Sequence, residues 1–252
     1  MKPAIRVLAV LPLVALPASS FATVVFQNTG TRTGWDYVTE QNKGTVTQVS
    51  SPVYKGSTAL RARQVYVANS TERFHSEVGK RGVGKKGEDR YYGWALMLPS
   101  NWQFTSQWYI VSQLGVSYSG RSCGGEPVSK SYFSGSTLKI EVTTGTACSS
   151  HGTSYTVASG VTAGVWHRLV YRYRLGSDSA GQLQYWVDGT KKFERLNTAN
   201  IPNMSDPVRW SLGLYAAQWF QRALEGTQST RDVFVDQARV TSSYTEANPS
   251  GW

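Results

Sequence analysis

His75, Gln113 and Tyr215 stand on three separate stretches of the chain, and together they can handle a proton next to a carboxylate. The other common chemistries are poorly supplied. Only three histidines occur, His75, His151 and His167, and H-E-x-x-H is absent, so a histidine-rich zinc centre is not indicated. G-x-S-x-G does not occur either, and with it goes the usual serine-hydrolase elbow. A glycoside hydrolase needs two carboxyl groups flanking the bond. Glu77 and Glu141 are the best carboxylates on predicted strands, and nothing in the sequence pairs them.

Elimination across a uronic acid asks for different equipment. The proton on C5 is weakly acidic while the neighbouring carboxylate is ionised, because the carbanion would add a second negative charge. Donors such as Gln, Asn, protonated His or Arg must therefore neutralise the carboxylate and hold its enolate-like form. A base must reach C5, and an acid must protonate the leaving O4. A tyrosine with cationic neighbours can do either or both. Gln113, His75 and Tyr215, set among Arg and Lys, are of the types required.

The elements that must position these residues read as strands. Period-two alternation, rich in aromatic and β-branched residues, marks Val24–Asn28, Ala59–Val67, Phe74–Gly79, Tyr91–Leu98 and Trp108–Val116. It recurs over Leu138–Thr144, Trp166–Leu175, Gln182–Val187, Trp210–Ala216 and Val233–Val240. Asp188-Gly189 between Val187 and Lys191 is a hairpin signal. The pattern predicts an all-β, two-sheet antiparallel sandwich of the β-jelly-roll type, in one domain over 23–252. Alternation puts His75 and Glu77 opposite Phe74, Ser76 and Val78. It puts Tyr109 and Gln113 opposite Trp108, Ile110 and Leu114, and Ser211, Gly213 and Tyr215 opposite Trp210, Leu212 and Leu214. Periodicity does not say whether the three polar faces are one face.

Residues 1–22 have the layout of a secretory leader: Lys2 and Arg6, an apolar run from Val7 to Leu16, then small residues before Thr23. The expectation is a secreted, extracellular monomer. In an oxidising compartment Cys123 and Cys148 should pair. Asn69-Ser70-Thr71 and Asn203-Met204-Ser205 would be glycosylation acceptors. The formal charge is +10 with 12% aromatic residues. No basic helix or nucleic-acid module appears, and no amphipathic helix for a membrane surface. An acidic polysaccharide suits secretion, charge and aromatic content together.

Six strings also resemble a known family. Arg73-Phe74-His75-Ser76-Glu77-Val78, followed by Tyr91-Tyr92-Gly93-Trp94-Ala95, is similar to paired segments of the polysaccharide lyases that include the fungal glucuronan lyases, family 20. So are Ile110-Val111-Ser112-Gln113, Gly164-Val165-Trp166-His167-Arg168, Tyr185-Trp186-Val187-Asp188-Gly189 and Gly213-Leu214-Tyr215. The resemblance runs from about Val24 to Trp252. It implies a jelly roll with a cleft on a concave sheet and endolytic cleavage of β-1,4-linked polyglucuronate. On this resemblance His75 and Gln113 engage the carboxylate, and Tyr215 is base and acid. The resemblance also puts Arg73 and Trp219 near the sugar, and the basic stretches add Arg168 and Lys80 as substrate-binding candidates. A structural calcium ion is implied at Asp236, with Gln27 or Asn28 supplying carbonyl oxygens.

Competing readings are explicit. His167, beside Trp166, reads as a packing residue, and His151 as exposed. Arg168, Arg172 and Arg174 form either a solvated stripe or a row of carboxylate subsites. Lys80–Arg90 reads as a solvated loop. A lyase for another polyuronate such as alginate, or a non-catalytic carbohydrate-binding sandwich, would use many of the same residues.

Overall fold

The computed structural model describes residues 22–119, 122, 123 and 125–252; apart from Ala22, the expected leader lies outside them. Fifteen strands form among the described residues. They are Val24–Asn28 (β1), Tyr37–Glu40 (β2), Thr45–Val49 (β3), Ala59–Val65 (β4) and His75–Gly84 (β5). Asp89–Met97 (β6), Tyr109–Ser117 (β7), Gly125–Ser134 (β8), Thr137–Thr146 (β9) and Ser149–Ala158 (β10) follow. The last are Trp166–Arg174 (β11), Gln182–Val187 (β12), Thr190–Arg195 (β13), Val208–Ala216 (β14) and Thr230–Thr241 (β15). One sheet runs β13-β12-β11-β6-β15-β4-β3, with β1 on the C-terminal half of β15. The other runs β10-β9-β8-β7-β14-β5-β2. Every pairing between these strands is antiparallel, giving the expected two-sheet sandwich.

Aromatic side chains from both sheets meet between them. Trp94 of β6 and Trp210 of β14 are both 0% exposed, with ring centroids 5.8 Å apart edge to face. Tyr92, Tyr171 and Tyr185 pack around them. Burying rings of this size is the largest single favourable contribution to such a core. The ring N–H of Trp94 has no partner among the described residues, whereas the other polar tips are bonded within a sheet or across the gap. Trp210 Nε1 donates to Ser112 Oγ at 2.9 Å, and Tyr171 Oη lies 3.2 Å from the same oxygen. Burial pushes the Tyr92 and Tyr171 phenols well above their usual range.

All ten expected strands are present, Val24–Asn28 and Gln182–Val187 with the expected bounds and the rest with shifted ends. Strands β2, β3, β8 and β10 carry too little apolar alternation to have been expected; β10 is largely exposed. The hairpin at Asp188-Gly189 forms with both residues at positive φ, 52° and 86°. Lys80 to Gly84, expected in a loop, continues β5.

The alternation in β7 is corrected by a bulge. The register against β8 steps from Ile110↔Tyr132 to Ser112↔Ser131, which leaves Val111 as an extra residue. Tyr109 and Val111 therefore enter the core, while Ile110 turns to the outer face with Tyr132 and Tyr215. Gln113 keeps the outward side expected of it. Cys123 and Cys148 form a disulfide, tying the start of β8 to the β9–β10 turn. Asn69 and Asn203 are both exposed.

Candidate active site

The three polar faces are one face, because β7, β14 and β5 are neighbours in one sheet. Tyr215 sits directly opposite His75 in the ladder, and Ser211 opposite Gln113. Their outward side chains line a cleft of about 440 Å³, closed along one side by Tyr37 and Thr39 of β2. The imidazole of His75 lies flat on the Tyr215 ring, centroids 3.6 Å apart and planes 17° from parallel. Arg73, just before β5, donates from Nη1 to Tyr215 Oη at 2.9 Å. A guanidinium there offsets negative charge on the phenol oxygen once its proton has gone.

Glu77 lies beneath these groups, 3% exposed. Its Oε1 accepts from Gln113 Nε2 at 2.7 Å, and its Oε2 lies 2.5 Å from His75 Nδ1. Gly213 faces Glu77 across the ladder at φ 141°. A methyl group at Gly213 would come within 2.2 Å of the Ser76 carbonyl oxygen, so only glycine lets β14 approach β5 here.

The cleft floor uses two more glycines in the same way. The Tyr37 ring occupies the space over Gly79, and the Arg209 guanidinium that over Gly115. Tyr37 Oη is 2.8 Å from Ser211 Oγ, and burial raises its pKa, so it stays a phenol. Along β14 the floor runs from Arg209 to Tyr215, six residues or about 20 Å at the rise of a strand.

Of the residues expected at the substrate, Arg73 lines this cleft and three do not. Trp219 is 3% exposed and packs edge-on against Phe74 and Tyr66, with Nε1 bonded to Gln107 Oε1. It is a core residue; its neighbour Phe220 is the exposed ring, with Arg73 over it at 5.6 Å. Lys80 is one residue out of phase with His75 and Glu77. It pairs with Asp36 at 2.6 Å and lies over Phe26. Arg168 belongs to β11 in the other sheet and bonds the Asp188 carbonyl. Arg172 clamps Asp89 beside it, so the basic stripe is an ion-paired outer face and not a subsite row. His167 is held between Asp188 at 2.8 Å and the Thr162 carbonyl at 3.0 Å, an edge clamp rather than apolar packing. His151 is exposed, as expected.

Asp236, the residue implied to hold calcium, lies in β15 of the other sheet and is 1% exposed, and burial raises its pKa against N–H bonds from Tyr54, Lys55 and Gln237. Both of its carboxylate oxygens accept N–H bonds, and Gly30 packs closely on it and on the Thr58 carbonyl, an arrangement that does not fit a cation. The side chains of Gln27 and Asn28 are engaged elsewhere, the first with Arg239 and the second with Thr31 and Thr33. Among the described residues no group of three His, Cys, Asp or Glu could hold a metal.

Glu77 is the functional residue that sequence reasoning left unassigned. Its signal was there: two residues after His75, on the same face. Tyr37 and Arg209 were also missed, since β2 was not expected and Arg209 precedes the apolar part of β14. Among the described residues lining the cleft, Glu77 is the one carboxylate. A two-carboxylate hydrolysis has no second partner there.

Comparison with known proteins agrees with this chemistry. The family model "polysaccharide lyase" matches residues 27–239. The crystal structure of endo-β-1,4-glucuronan lyase from the fungus Trichoderma reesei superposes with TM-score 0.88 at 33% identity, covering 91% of this chain and 100% of that one. Alginate lyase vAL-1 from Chlorella virus shares the fold at 12% identity and TM-score 0.55, over 82% of this chain and 92% of its own. The cellulose-induced protein Cip1 does so at 14% and 0.52, over 83% and 91%. Curated protein sequences give no match. A single cleft holding an amide, an imidazole and an arginine-bound phenol, on a chain matched over most of its length, leads to one assignment: this chain belongs to the polysaccharide lyase family.

Proposed function

We propose that the protein cleaves β-1,4-linked polyglucuronic acid within the chain by β-elimination. The observation that carries this reading is the Tyr215 phenol stacked on His75, bonded to Arg73, in a cleft whose described lining holds one carboxylate. Gln113 and His75 neutralise the C5 carboxylate of the bound residue and hold its enolate-like form. Tyr215 takes the C5 proton and returns one to O4 as the glycosidic bond breaks, leaving a C4=C5 double bond. In a β-linked glucuronate, H5 and O4 lie on the same side of the ring. One group above that side can therefore serve both steps, and that role is given to Tyr215, whose phenol oxygen accepts from Arg73.

The length of the floor supports an internal mode of attack. About 20 Å of strand between Arg209 and Tyr215, both lining the cleft, is long enough for several sugars. The likeness to the Trichoderma reesei enzyme supports glucuronan over other uronates. Release to the extracellular space, as the leader pattern and the disulfide suggest, would bring the protein to a polymer too large to enter a cell. A calcium ion at Asp236, as the resemblance implies, would lie on the other sheet and supply no chemistry to the cleft.

The test is a panel of acidic polysaccharides incubated with purified protein and followed by the ultraviolet absorbance of new unsaturated ends. Polyglucuronate should give rapid absorbance with a mixture of oligomer lengths. Absorbance on alginate alone would move the substrate, and saturable binding without product on every polymer would replace the lyase by a binding module.

A further inference from the structure

Glu77 poses a puzzle: a buried carboxylate beneath a site that must welcome another carboxylate. Both of its oxygens are engaged, Oε1 by Gln113 Nε2 at 2.7 Å and Oε2 by His75 Nδ1 at 2.5 Å. The amide nitrogen cannot accept, so the Gln113 contact fixes which way round that amide is turned. Its second N–H has no partner among the described residues and is left for a ligand.

The imidazole contact has a further effect. With one proton between Nδ1 and Oε2 and another on Nε2, the His75–Glu77 pair is neutral, and Nε2–H is a donor facing the cleft. If one proton is lost, the pair becomes anionic, Nδ1–H points at Glu77, and Nε2 is left bare. An anionic uronate binds the first form and is repelled by the second. The charged and titratable groups facing the pair are Arg73 ahead of β5, Tyr215 and Arg209 from β14, and Tyr37 from β2; β7 contributes only neutral Gln113.

We propose that Glu77 is the positioning residue of this site: it orients the Gln113 amide and makes His75 take up a proton as the uronate carboxylate binds. This rests on the lyase reading for its substrate, but the geometry can be tested without one. Long-range 1H–15N correlation of the imidazoles, of which the chain has only three, reports which ring nitrogen holds the proton. Neutral His75 should carry it on Nδ1 in the unmodified protein. In Glu77→Gln the new amide donates to Nδ1, and the proton should move to Nε2. Neutral His75 with its proton on Nε2 in the unmodified protein overturns the proposal, whether or not the variant folds.

Kinetics on polyglucuronate supply the second arm. The KM–pH profile of Glu77→Gln should differ in shape from that of the unmodified enzyme, because Nε2–H persists in its neutral ring, while kcat falls by about 10- to 100-fold. A Glu77 that merely supported the fold would lower the melting temperature and leave the shape of the KM profile unchanged, and that result also overturns the proposal. If the imidazole result holds and polyglucuronate is not cut, the substrate assignment fails and the positioning role stands.

Discussion

Replacing Tyr215 by Phe removes one oxygen atom and little else. The ring keeps its place on His75, since the 3.6 Å stack is made by carbon faces, and the site stays 8% exposed. The hydrogen bond from Arg73 Nη1 is lost, but this arginine is exposed and can turn to water. Such a bond is worth about 1 kcal/mol net, which lowers the melting temperature of a domain this size by about 2–4 °C. Turnover should respond on another scale. General acid or base catalysis by a placed side chain contributes about 10²–10⁴-fold per step, and here one hydroxyl serves both. The variant should therefore lose at least about 10⁴ in kcat, about 5.4 kcal/mol at 1.36 kcal/mol per decade. Affinity for polyglucuronate, measured by calorimetry with the uncut polymer, should stay within about tenfold. Ultraviolet absorbance gives the rate. If Tyr215→Phe keeps a tenth of the normal turnover, the phenol is neither base nor acid and the mechanism is wrong.

Other expectations follow from the same geometry. Trp219→Ala should cost about 3–5 kcal/mol of stability by emptying a core site, seen as an early thermal transition, whereas Arg168→Ala on the far sheet should leave kcat and KM unchanged. Gly213→Ala should destabilise by about 2–4 kcal/mol and abolish turnover, because its methyl group meets the Ser76 carbonyl; a variant with normal melting and rate would show that the close approach is unimportant. The Asp188 hydrogen bond raises the His167 pKa above 6.5, burial opposing it. That pair's stabilisation is complete below the unfolded value of about 6.5 and is lost as pH rises through the raised folded value. His167→Gln should accordingly lower the melting temperature at acid pH and make little difference in alkali.

Strong alternation made most of the sandwich legible from the sequence. Strands β5 and β14 place apolar residues inward at every second position, and their outward residues form the cleft as expected. Strand β7 defeated the same rule at Val111, since a bulge changes facing without changing composition. Strands β2 and β10 were invisible because their residues are half-exposed or exposed and polar. At the site, His75, Gln113 and Tyr215 could be nominated by type, but their meeting depends on strand order, which periodicity does not encode. Trp219 was expected near the sugar from the family resemblance; the turn that buries it and presents Phe220 is a tertiary outcome. Glu77 escaped because its partner Gln113 is thirty-six residues away.

The filled glycine sites in the cleft floor have a consequence for how such an enzyme can change. Where Gly79 and Gly115 leave gaps, Tyr37 and Arg209 slot in from neighbouring strands like tiles laid over a subfloor. Either tile can be exchanged for another flat or charged group while β5 and β7 keep their backbones, so the surface that meets the polymer can be re-laid independently of the machinery at Tyr215. Filling a gap from below with any larger residue would evict the tile above it, and that asymmetry separates the positions open to retuning from those that are closed.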